Sequence, residues 1–207
     1  MKIAIPRETV ESETRVALVP TMIGDLKKID ADVVVQKGAG DNARFPDKLY
    51  ADNGATLVDS ADAILGEADV VLKVQPPAAD EAQRLAEGAT LISFLDPAQN
   101  KERIETLRAN KTTVFAMELI PRITRAQSMD ALSAMSTVAG YQAVLISTQH
   151  FGKFFPLLMT AAGTIPPATV LILGAGVAGL QAIATARRLG AKVEAFDVRP
   201  AVKEQIE

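Results

Sequence analysis

The sequence has no cysteine and a single histidine, and aromatic residues make up only 4% of its 207 residues. The absence of cysteine excludes disulfides, iron–sulfur clusters and thiolate zinc sites, and one histidine excludes a histidine-rich metal site. A net charge of −3 provides no basic surface for a phosphate backbone, and few aromatic rings are available to stack on bases. We therefore expect no metal site and no nucleic-acid partner. Any chemistry must come from a cofactor or from carboxylate, lysine and arginine side chains.

Charged residues are also absent between Lys153 and Arg187, a span longer than a membrane helix requires. Residues that interrupt a spanning helix recur in this stretch, namely Pro156, Gly163, Pro166, Pro167 and the glycines of residues 174–179. The stretch is therefore predicted to form buried interior rather than a membrane span. The chain begins MKIAIPRE, without the apolar segment and cleavage site of a signal peptide, which indicates an intracellular protein.

Short apolar runs alternate with helical patterns in two parts of the chain. The runs within the first 117 residues are KIAIP, DVVVQ, DVVLKV, ATLISF and TTVFAM. The helices predicted between these runs are Thr21–Ile29, Asp47–Asn53, Asp80–Ala86 and Lys101–Ala109. A second series begins at Thr169 with TVLIL, a helix over Val177–Leu189, and KVEAF. Alternation at this spacing predicts parallel sheets that are covered on both faces.

The segment DALSAMSTVAGYQAVLISTQ, residues 130–149, lies between the two series and carries no charge after Asp130. A surface helix would have a charged face, so this segment is predicted to be a long helix packed on both sides that bridges two domains. The predicted fold class is α/β, with two Rossmann-like domains with parallel sheets joined by a long helix. The predicted division is an N-terminal α/β domain over 1–126, a bridging helix and linker over 127–168, and the start of an NAD-binding Rossmann domain over 169–207. Because a dinucleotide-binding sheet is built from two βαβ halves, the second domain is expected to be incomplete in this chain, and we favour truncation as the reason.

A glycine-rich turn, GAGVAG at residues 174–179, follows the strand TVLIL and precedes a helix. Gly174 permits a tight turn, Gly176 lets the backbone approach a pyrophosphate, and Gly179 lets the helix pack closely on the strand. Backbone amides at the start of this helix are expected to point at the phosphates, together with the positive end of the helix dipole. These amides belong to Gly176, Val177 and Ala178.

Asp197 ends the strand KVEAF, 18 residues after Gly179, where the ribose hydroxyls of a dinucleotide would lie. A carboxylate there repels a 2′-phosphate by roughly 4 kcal/mol at about 4 Å and an effective dielectric near 20, so NAD is favoured over NADP. Arg199 has two interpretations, because it could accept a 2′-phosphate or be a solvated surface charge. The predicted cofactor-binding residues in this part of the chain are Gly174, Ala175, Gly176, Val177, Ala178, Gly179, Asp197, Val198 and Arg199.

A second polar group precedes the bridging helix, in PRITRAQSMDALS at residues 121–133. One interpretation is structural, because Thr124 and Gln127 have the spacing of a capping box and Asp130 suits a helix N-terminus. The other is functional, because the loop leaves the first sheet at the carboxyl end of a strand, where open α/β sheets bind ligands. In that interpretation the loop closes over the nicotinamide end of a nucleotide, and both interpretations stay open. The candidate residues are Arg122, Gln127, Asp130 and Ser133.

The motif RITRAQSMDALS, together with PRE…ETRVALVP, LKVQPP, TAAGTIPPA and LGAGVAGLQAIATARRLGA, resembles the NAD(H)-binding first domain of the alpha subunit of proton-translocating NAD(P) transhydrogenase. The resemblance runs along the whole chain. In that family the arginine, glutamine and aspartate of the loop order the nicotinamide and its ribose. The resemblance assigns this role here to Arg122, Gln127 and Asp130, with Ser133.

The resemblance also implies a reaction and an assembly. Hydride would pass directly from NADH on this domain to NADP+ on a separate domain, and a membrane domain would link the transfer to proton passage. Catalysis would consist of placing two nicotinamide rings with their reacting carbons about 3–3.5 Å apart, without a general acid or base. The implied partners are membrane-embedded and NADP-binding transhydrogenase domains or subunits and a second copy in a homodimer, on the cytoplasmic side and peripheral to the inner membrane. For this chain alone we expect weak NADH binding and no activity.

Alanine dehydrogenase resembles the same architecture and is the nearest rival. In alanine dehydrogenase an arginine and a lysine hold the keto acid, and Arg15 and Lys73 match their positions. That family also uses a histidine after the strand equivalent to LISF. The sequence here reads LDPAQN, with Asp96 in that place, so the proton donor is missing. Lys73 could instead extend to solvent from a strand end, Arg15 could be a solvated loop residue, and His150 is expected to be structural. A non-catalytic nucleotide-binding or assembly module stays open as a third class.

Overall fold

The computed structural model describes residues 1–206, and the chain divides into two compact units, Met1–Met129 and Asp130–Glu207. Each unit has its own sheet and its own apolar clusters. The long helix belongs to the second unit, so this division falls at 129/130, whereas the sequence analysis divides the chain at 126 and 168.

The first unit contains one sheet of six parallel strands. The parallel arrangement agrees with the alternating pattern, which predicted five of the six strands and missed β3. The strands are β1 (Lys2–Ile5), β2 (Asp32–Gln36), β3 (Thr56–Val58), β4 (Val70–Leu72), β5 (Thr90–Ser93) and β6 (Thr113–Ala116). Their order across the sheet is β3-β2-β1-β4-β5-β6, so the order reverses between β1 and β4. In parallel α/β sheets this reversal marks the crevice in which ligands bind, at the carboxyl ends of the strands.

Helices cover both faces of this sheet. They are α1 (Ile23–Lys27), which continues a 3-10 turn at Pro20–Met22, α2 (Asp47–Asp52), α3 (Asp62–Leu65), α4 (Ala79–Arg84) and α5 (Lys101–Ala109). Successive side chains of a strand point to opposite faces, so Ile3 packs with Ile23 of α1 and Tyr50 of α2, whereas Ala4 packs with Leu65 of α3 and Leu107 of α5. The two buried clusters hold the strands of this unit in place.

The second unit begins with the long helix α6 (Ala131–His150) and an antiparallel hairpin of β7 (Leu158–Thr160) and β8 (Gly163–Ile165). A parallel pair follows, β9 (Thr169–Leu173) and β10 (Lys192–Phe196), joined by α7 (Val177–Arg188). A 3-10 turn at Pro200–Val202 leads into α8 (Lys203–Ile206). The βαβ unit agrees with the sequence pattern, whereas the hairpin was not predicted. The apolar core of the second unit lies between α6, α7 and one face of the strand pair.

The prediction that α6 is packed on both sides is wrong for the described residues. Only Gly140 and Val144 of this helix are buried, on the face that packs against α7. Val138, Tyr141 and Ile146 are exposed. A helix without charge therefore has an apolar surface here rather than a second buried face.

The prediction that the uncharged stretch between Lys153 and Arg187 is buried interior is also wrong in part. The hairpin side chain of Met159 is exposed, and so are Leu171 and Leu173 on one face of β9. The physical reason is the period of the strand, because Val170 and Ile172 face α7 while their neighbours point to the other face of a two-stranded sheet. None of the helices within residues 1–206 combines the length and hydropathy that crossing a bilayer requires.

Candidate functional site

The glycine turn joins β9 to α7 in a conformation that depends on its glycines. Gly174 has a φ of +92°, which side-chain-bearing residues rarely adopt, and its N–H donates to the carbonyl of Phe196 at 2.7 Å. Gly176 is the extended N-cap of α7, and a Cβ there would meet no atom within 4 Å. A Cβ at Gly179 would overlap the carbonyl oxygen of Gly174, so the helix lies against the strand as expected. The turn leaves open space beside Gly176, where a phosphate could approach the backbone.

The first turn of α7 supplies hydrogen-bond donors to this space. The first four N–H groups of an α-helix have no partner within the helix, and the helix dipole adds about half a positive charge at this end. The N-cap Gly176 contributes no side chain to satisfy them. The predicted amides of Val177 and Ala178 are therefore suited to bind a phosphate or pyrophosphate group.

Asp197 follows β10, and its carboxylate accepts hydrogen bonds from two parts of the unit. Oδ2 accepts from the backbone N–H of Ala175 at 2.8 Å, and Oδ1 accepts from the backbone N–H of Arg199 at 2.8 Å. The Arg199 guanidinium donates to both oxygens, through Nε and Nη2, at 3.0 Å each. These bonds, with the Arg199 side chain as the main cause, hold the pKa of Asp197 well below its usual range. The acid is therefore ionised and fixed to the glycine turn, while neighbouring Val198 is exposed.

Asp130 and Ser133 lie together at the start of α6. Asp130 is the N-cap of the helix, and its carboxylate accepts from the Ser133 N–H at 2.9 Å and from the Ser133 hydroxyl at 2.6 Å. Thr124 and Gln127, which have the spacing of a capping box, lie in a 3-10 helix, Thr124–Met129, that ends before α6 begins. As the N-cap of α6, Asp130 has the role that the structural interpretation gave it, and the residue remains partly exposed.

Arg122 and Gln127, the other two candidates of this loop, lie at the end of the first unit. Both side chains are on the surface, and Gln127 lies within the 3-10 helix Thr124–Met129. The structure thus joins Asp130 to Ser133, and it joins Asp197 to the glycine turn.

Charged side chains of the chain itself meet at the switch point of the first sheet, between β1 and β4. Glu8 follows β1, and its carboxylate accepts from the N–H groups of Val74 at 2.6 Å and Gln75 at 3.2 Å, just after β4. The Lys73 side chain is only 1% exposed, with Nζ 3.0 Å from a carboxylate oxygen of Glu81 and 3.7 Å from one of Glu8. The expectation that Lys73 extends to solvent is therefore wrong, because two carboxylates hold its ammonium inside.

Arg15 lies beside this cluster and is not a free solvated residue. Its Nε and Nη2 donate to the Glu13 carboxylate at 2.8 and 2.6 Å, and its guanidinium carbon lies 5.9 Å from the centre of the Phe94 ring. Gln75 also donates to Glu13, at 2.6 Å. The hydrogen bonds from Arg15 lower the pKa of Glu13 to about 2, against the opposing effect of burial.

Asp96 lies where the alanine dehydrogenase pattern has its histidine, in a cavity of about 540 Å³ that also includes Phe94 and Glu118. Asp96 has a φ of +45°, and the Glu118 carboxylate accepts its N–H at 2.6 Å. Glu8 and Glu118 were missed in the sequence because their partners are distant along the chain, 66 positions for Glu8 and Val74 and 22 for Glu118 and Asp96. Glu81 was missed as well, although its partner Lys73 is only eight positions away. No local motif signals such a contact.

Within residues 1–206, no group of three or more histidine, aspartate and glutamate side chains is placed to hold a metal ion. His150, the one histidine of the sequence, is exposed at the end of α6.

The parallel sheets and the glycine turn define a Rossmann-type α/β protein. The chain belongs to the alanine dehydrogenase/PNT family, whose N-terminal domain matches residues 4–139 and whose C-terminal domain matches residues 143–207. This confirms the α/β fold class and the family resemblance drawn from the sequence.

Within this family, the chain is similar both to transhydrogenases and to alanine dehydrogenases, as three relatives illustrate. NAD(P) transhydrogenase subunit alpha of Cereibacter sphaeroides is 52% identical over 207 residues, which are all of this chain and 40% of that subunit. The structure of transhydrogenase from Sinorhizobium meliloti has 48% identity and a TM-score of 0.96, covering 100% of this chain and 61% of that one. Alanine dehydrogenase of Mycolicibacterium smegmatis is 33% identical over 201 residues, 96% of this chain and 54% of that enzyme. The chain therefore spans about half the length of the relatives that it matches.

Proposed function

We propose that this chain is the NAD(H)-binding part of a proton-translocating transhydrogenase, with direct hydride transfer between NAD(H) here and NADP(H) on a partner domain. The observation that carries the proposal is the hydrogen bond from Ala175 to Asp197, because it joins a ribose-binding acid to a phosphate-binding turn. The greater identity to a transhydrogenase alpha subunit, 52% against 33% for an alanine dehydrogenase, supports this choice of reaction.

The nucleotide would be held along its length by this chain's own groups. The amides at the start of α7 bind the pyrophosphate, and Asp197 accepts the hydroxyls of the adenosine ribose. Arg122, Gln127, Asp130 and Ser133 order the nicotinamide and its ribose, as the family resemblance implies. NAD(H), when bound, supplies the hydride chemistry, and the protein supplies placement rather than an acid or a base.

The same residues favour NAD(H) over NADP(H) in this chain. Asp197 is ionised, so it repels a 2′-phosphate in the position where it accepts a 2′-hydroxyl. Arg199, the residue that could have accepted that phosphate, donates to both oxygens of Asp197. The guanidinium is therefore engaged with the acid that selects against the phosphate.

The partners in this proposal are membrane-embedded and NADP-binding domains or subunits, which keep the chain peripheral to the inner membrane on its cytoplasmic side. A homodimer is also part of the proposal. Exposed apolar side chains on α6 and on the hairpin support a protein contact there, since large apolar patches on a protein surface often mark interaction sites. These side chains are Val138, Tyr141, Ile146, Met159 and Ile165.

An alanine dehydrogenase activity fits this chain less well. Its lysine candidate, Lys73, is buried between Glu8 and Glu81, so it carries its own counter-charges and is withdrawn from a keto acid. Asp96 cannot act as the imidazole that the rival pattern uses to donate a proton.

The test is to combine the full-length protein with its NADP-binding partner and to follow reduction of an NAD analogue by NADPH. We expect hydride transfer that depends on both proteins. Absence of transfer despite NADH binding would leave a non-catalytic nucleotide-binding module, and turnover of pyruvate and ammonia would favour alanine dehydrogenase. Absence of NADH binding would contradict the proposal as a whole.

A further inference from the structure

The contact between α6 and α7 is unusually close at one residue, Gly140. A Cβ at this position would overlap the carbonyl oxygen of Ala178 and lie 2.9 Å from its carbonyl carbon. Both atoms belong to the backbone, so no side-chain rotation could relieve the overlap. Gly140 therefore sets how near α6 can come to the first turn of α7.

The position of α7 in the second unit is fixed independently of α6. Gly179 lies so close to the backbone of Gly174 that the helix cannot move nearer to its strand. Ile183 of the same helix is buried in a cluster with Ile172, Val193 and Ala195 of the strand pair, and this cluster contains no residue of α6. A larger residue at position 140 would therefore displace α6 rather than α7.

The two helices carry different parts of the proposed nucleotide site within one unit. The amides of α7 and the acid Asp197 form the adenosine and phosphate side. Asp130 and Ser133 lie at the start of α6, ten and seven residues before Gly140, so Asp130 is about 15 Å from Gly140 along the helix. Any shift of α6 at Gly140 thus changes the position of one part of the site relative to the other.

We infer that Gly140 is a positioning residue for the nucleotide, because its direct contact with the Ala178 backbone fixes the start of α6 relative to the glycine turn. This inference rests on the proposed function and names a residue that touches no ligand itself. Relieving the overlap requires α6 to move away by more than about 1 Å, since carbon and oxygen atoms pack at roughly 3.5 Å. A misplacement of about 1 Å between parts of a site can lower activity by about 100-fold.

The experiment compares two ligands that use different parts of the site. Adenosine monophosphate contacts only the β9–α7–β10 side in this proposal, whereas NADH also needs the start of α6. In the full-length protein, Gly140→Ala is expected to weaken NADH binding at least about tenfold more than binding of adenosine monophosphate. Hydride transfer with the NADP-binding partner is expected to fall further, by about 100-fold.

Two variants separate positioning from loss of stability. Val144→Ala removes buried volume from the same interface without forcing the helices apart, so it is expected to lower the melting temperature and leave the ratio of the two affinities unchanged. Gly24→Ala is the matched control for adding a methyl group within a helix, because a Cβ there meets no atom within 4 Å. If Gly140→Ala does not fold, Ala182→Val enlarges the same interface and is expected to give the same selective loss.

The decisive quantity is the ratio of the two affinities in whichever variant folds, Gly140→Ala or Ala182→Val. If this ratio is unchanged, whether or not both affinities fall, the inference about Gly140 is overturned and the proposed function is left intact. Failure of the unmodified protein to bind either ligand would instead contradict the proposed function.

Discussion

Asp197, the proposed ribose-binding acid, is held in place by hydrogen bonds from the chain itself. It accepts four hydrogen bonds, from the Ala175 amide and from three nitrogens of Arg199. A carboxylate offers about four lone-pair sites, so in the proposed site a ribose hydroxyl would have to replace one of these donors. The Arg199 side chain is 60% exposed and donates through both Nε and Nη2, so in the proposed site one of these bonds would give way to the hydroxyl while the other keeps the guanidinium on Asp197. The Ala175 bond then remains and keeps the acid beside the glycine turn.

Replacing Asp197 with asparagine is expected to change both affinity and nucleotide preference. Asp197→Asn keeps the shape of the side chain but removes its charge, and a hydrogen bond to a charged group contributes about 1.5–3 kcal/mol. NADH affinity is therefore expected to fall roughly 10- to 100-fold. NADPH binding is expected to improve relative to NADH, because the repulsion of the 2′-phosphate is removed. Fluorescence titrations with the two nucleotides measure both effects.

Glu194→Gln is the matched control, because Glu194 is an exposed carboxylate on β10, the strand that Asp197 follows. This variant is expected to bind both nucleotides as the unmodified protein does. An unchanged preference between NADH and NADPH in Asp197→Asn would show that Asp197 does not select the cofactor.

The residues of the glycine turn were predictable from the sequence, whereas the buried charges of the first unit were not. A strand, a turn and an acid at a fixed spacing form a local signal that a short window contains. The contacts of Glu8 with Val74, and of Lys73 with Glu8, join residues of different strands and depend on the strand order. Asp130 had two interpretations because the same side chain suits a helix cap and a ligand contact.

At the scale of elements, prediction depended on the length of each apolar run. Strands β1, β2, β5, β6, β9 and β10 have four or five residues and a clear apolar run, and all were predicted. β4 has only three residues but was also predicted, because it lies in the longer apolar run DVVLKV. β3, β7 and β8 have three residues each, with exposed positions, and they were missed. The burial of α6 was misjudged because absence of charge identifies an apolar helix but does not say which of its faces has a partner.

Gly176 and Gly179, in the connection between β9 and the first turn of α7, are expected to respond differently to replacement by alanine. Gly179→Ala is expected to lower the free energy of unfolding by about 1–3 kcal/mol or more, because its Cβ overlaps the Gly174 carbonyl oxygen. Gly176→Ala is expected to change stability by less than about 1 kcal/mol, because open space surrounds that Cβ. Urea unfolding followed by circular dichroism measures both values.

The Gly176→Ala variant also separates folding from binding. Its added methyl group enters the space that the proposal gives to the pyrophosphate, so NADH binding is expected to weaken in a protein that remains fully folded. Equal stability losses in the two variants would contradict the packing difference between Gly176 and Gly179. Undiminished NADH binding by Gly176→Ala would contradict the placement of the phosphates.

At the scale of the whole molecule, the two units differ in how completely their sheets are covered. The first has six strands, helices on both faces and two buried clusters. The second has a parallel pair of strands with exposed Leu171, Leu173 and Phe196 on the face opposite α7. Two-stranded sheets are marginally stable by themselves, so the first unit is expected to be the more independent of the two.

A polypeptide of residues 1–129 is therefore expected to fold alone, and Tyr50 reports whether it does. Of the two tyrosines of the sequence, Tyr50 is the one in this segment, and its burial raises its pKa to about 12 in the folded unit. Because the folded pKa lies above the unfolded value of about 10, native packing protects the hydroxyl at lower pH and is weakened by ionisation as the pH rises between these values. Ultraviolet titration of the segment is expected to show tyrosinate formation well above pH 10, with a cooperative urea transition at neutral pH. Titration with a midpoint near 10 and no such transition would show that the first unit needs the rest of the chain to fold.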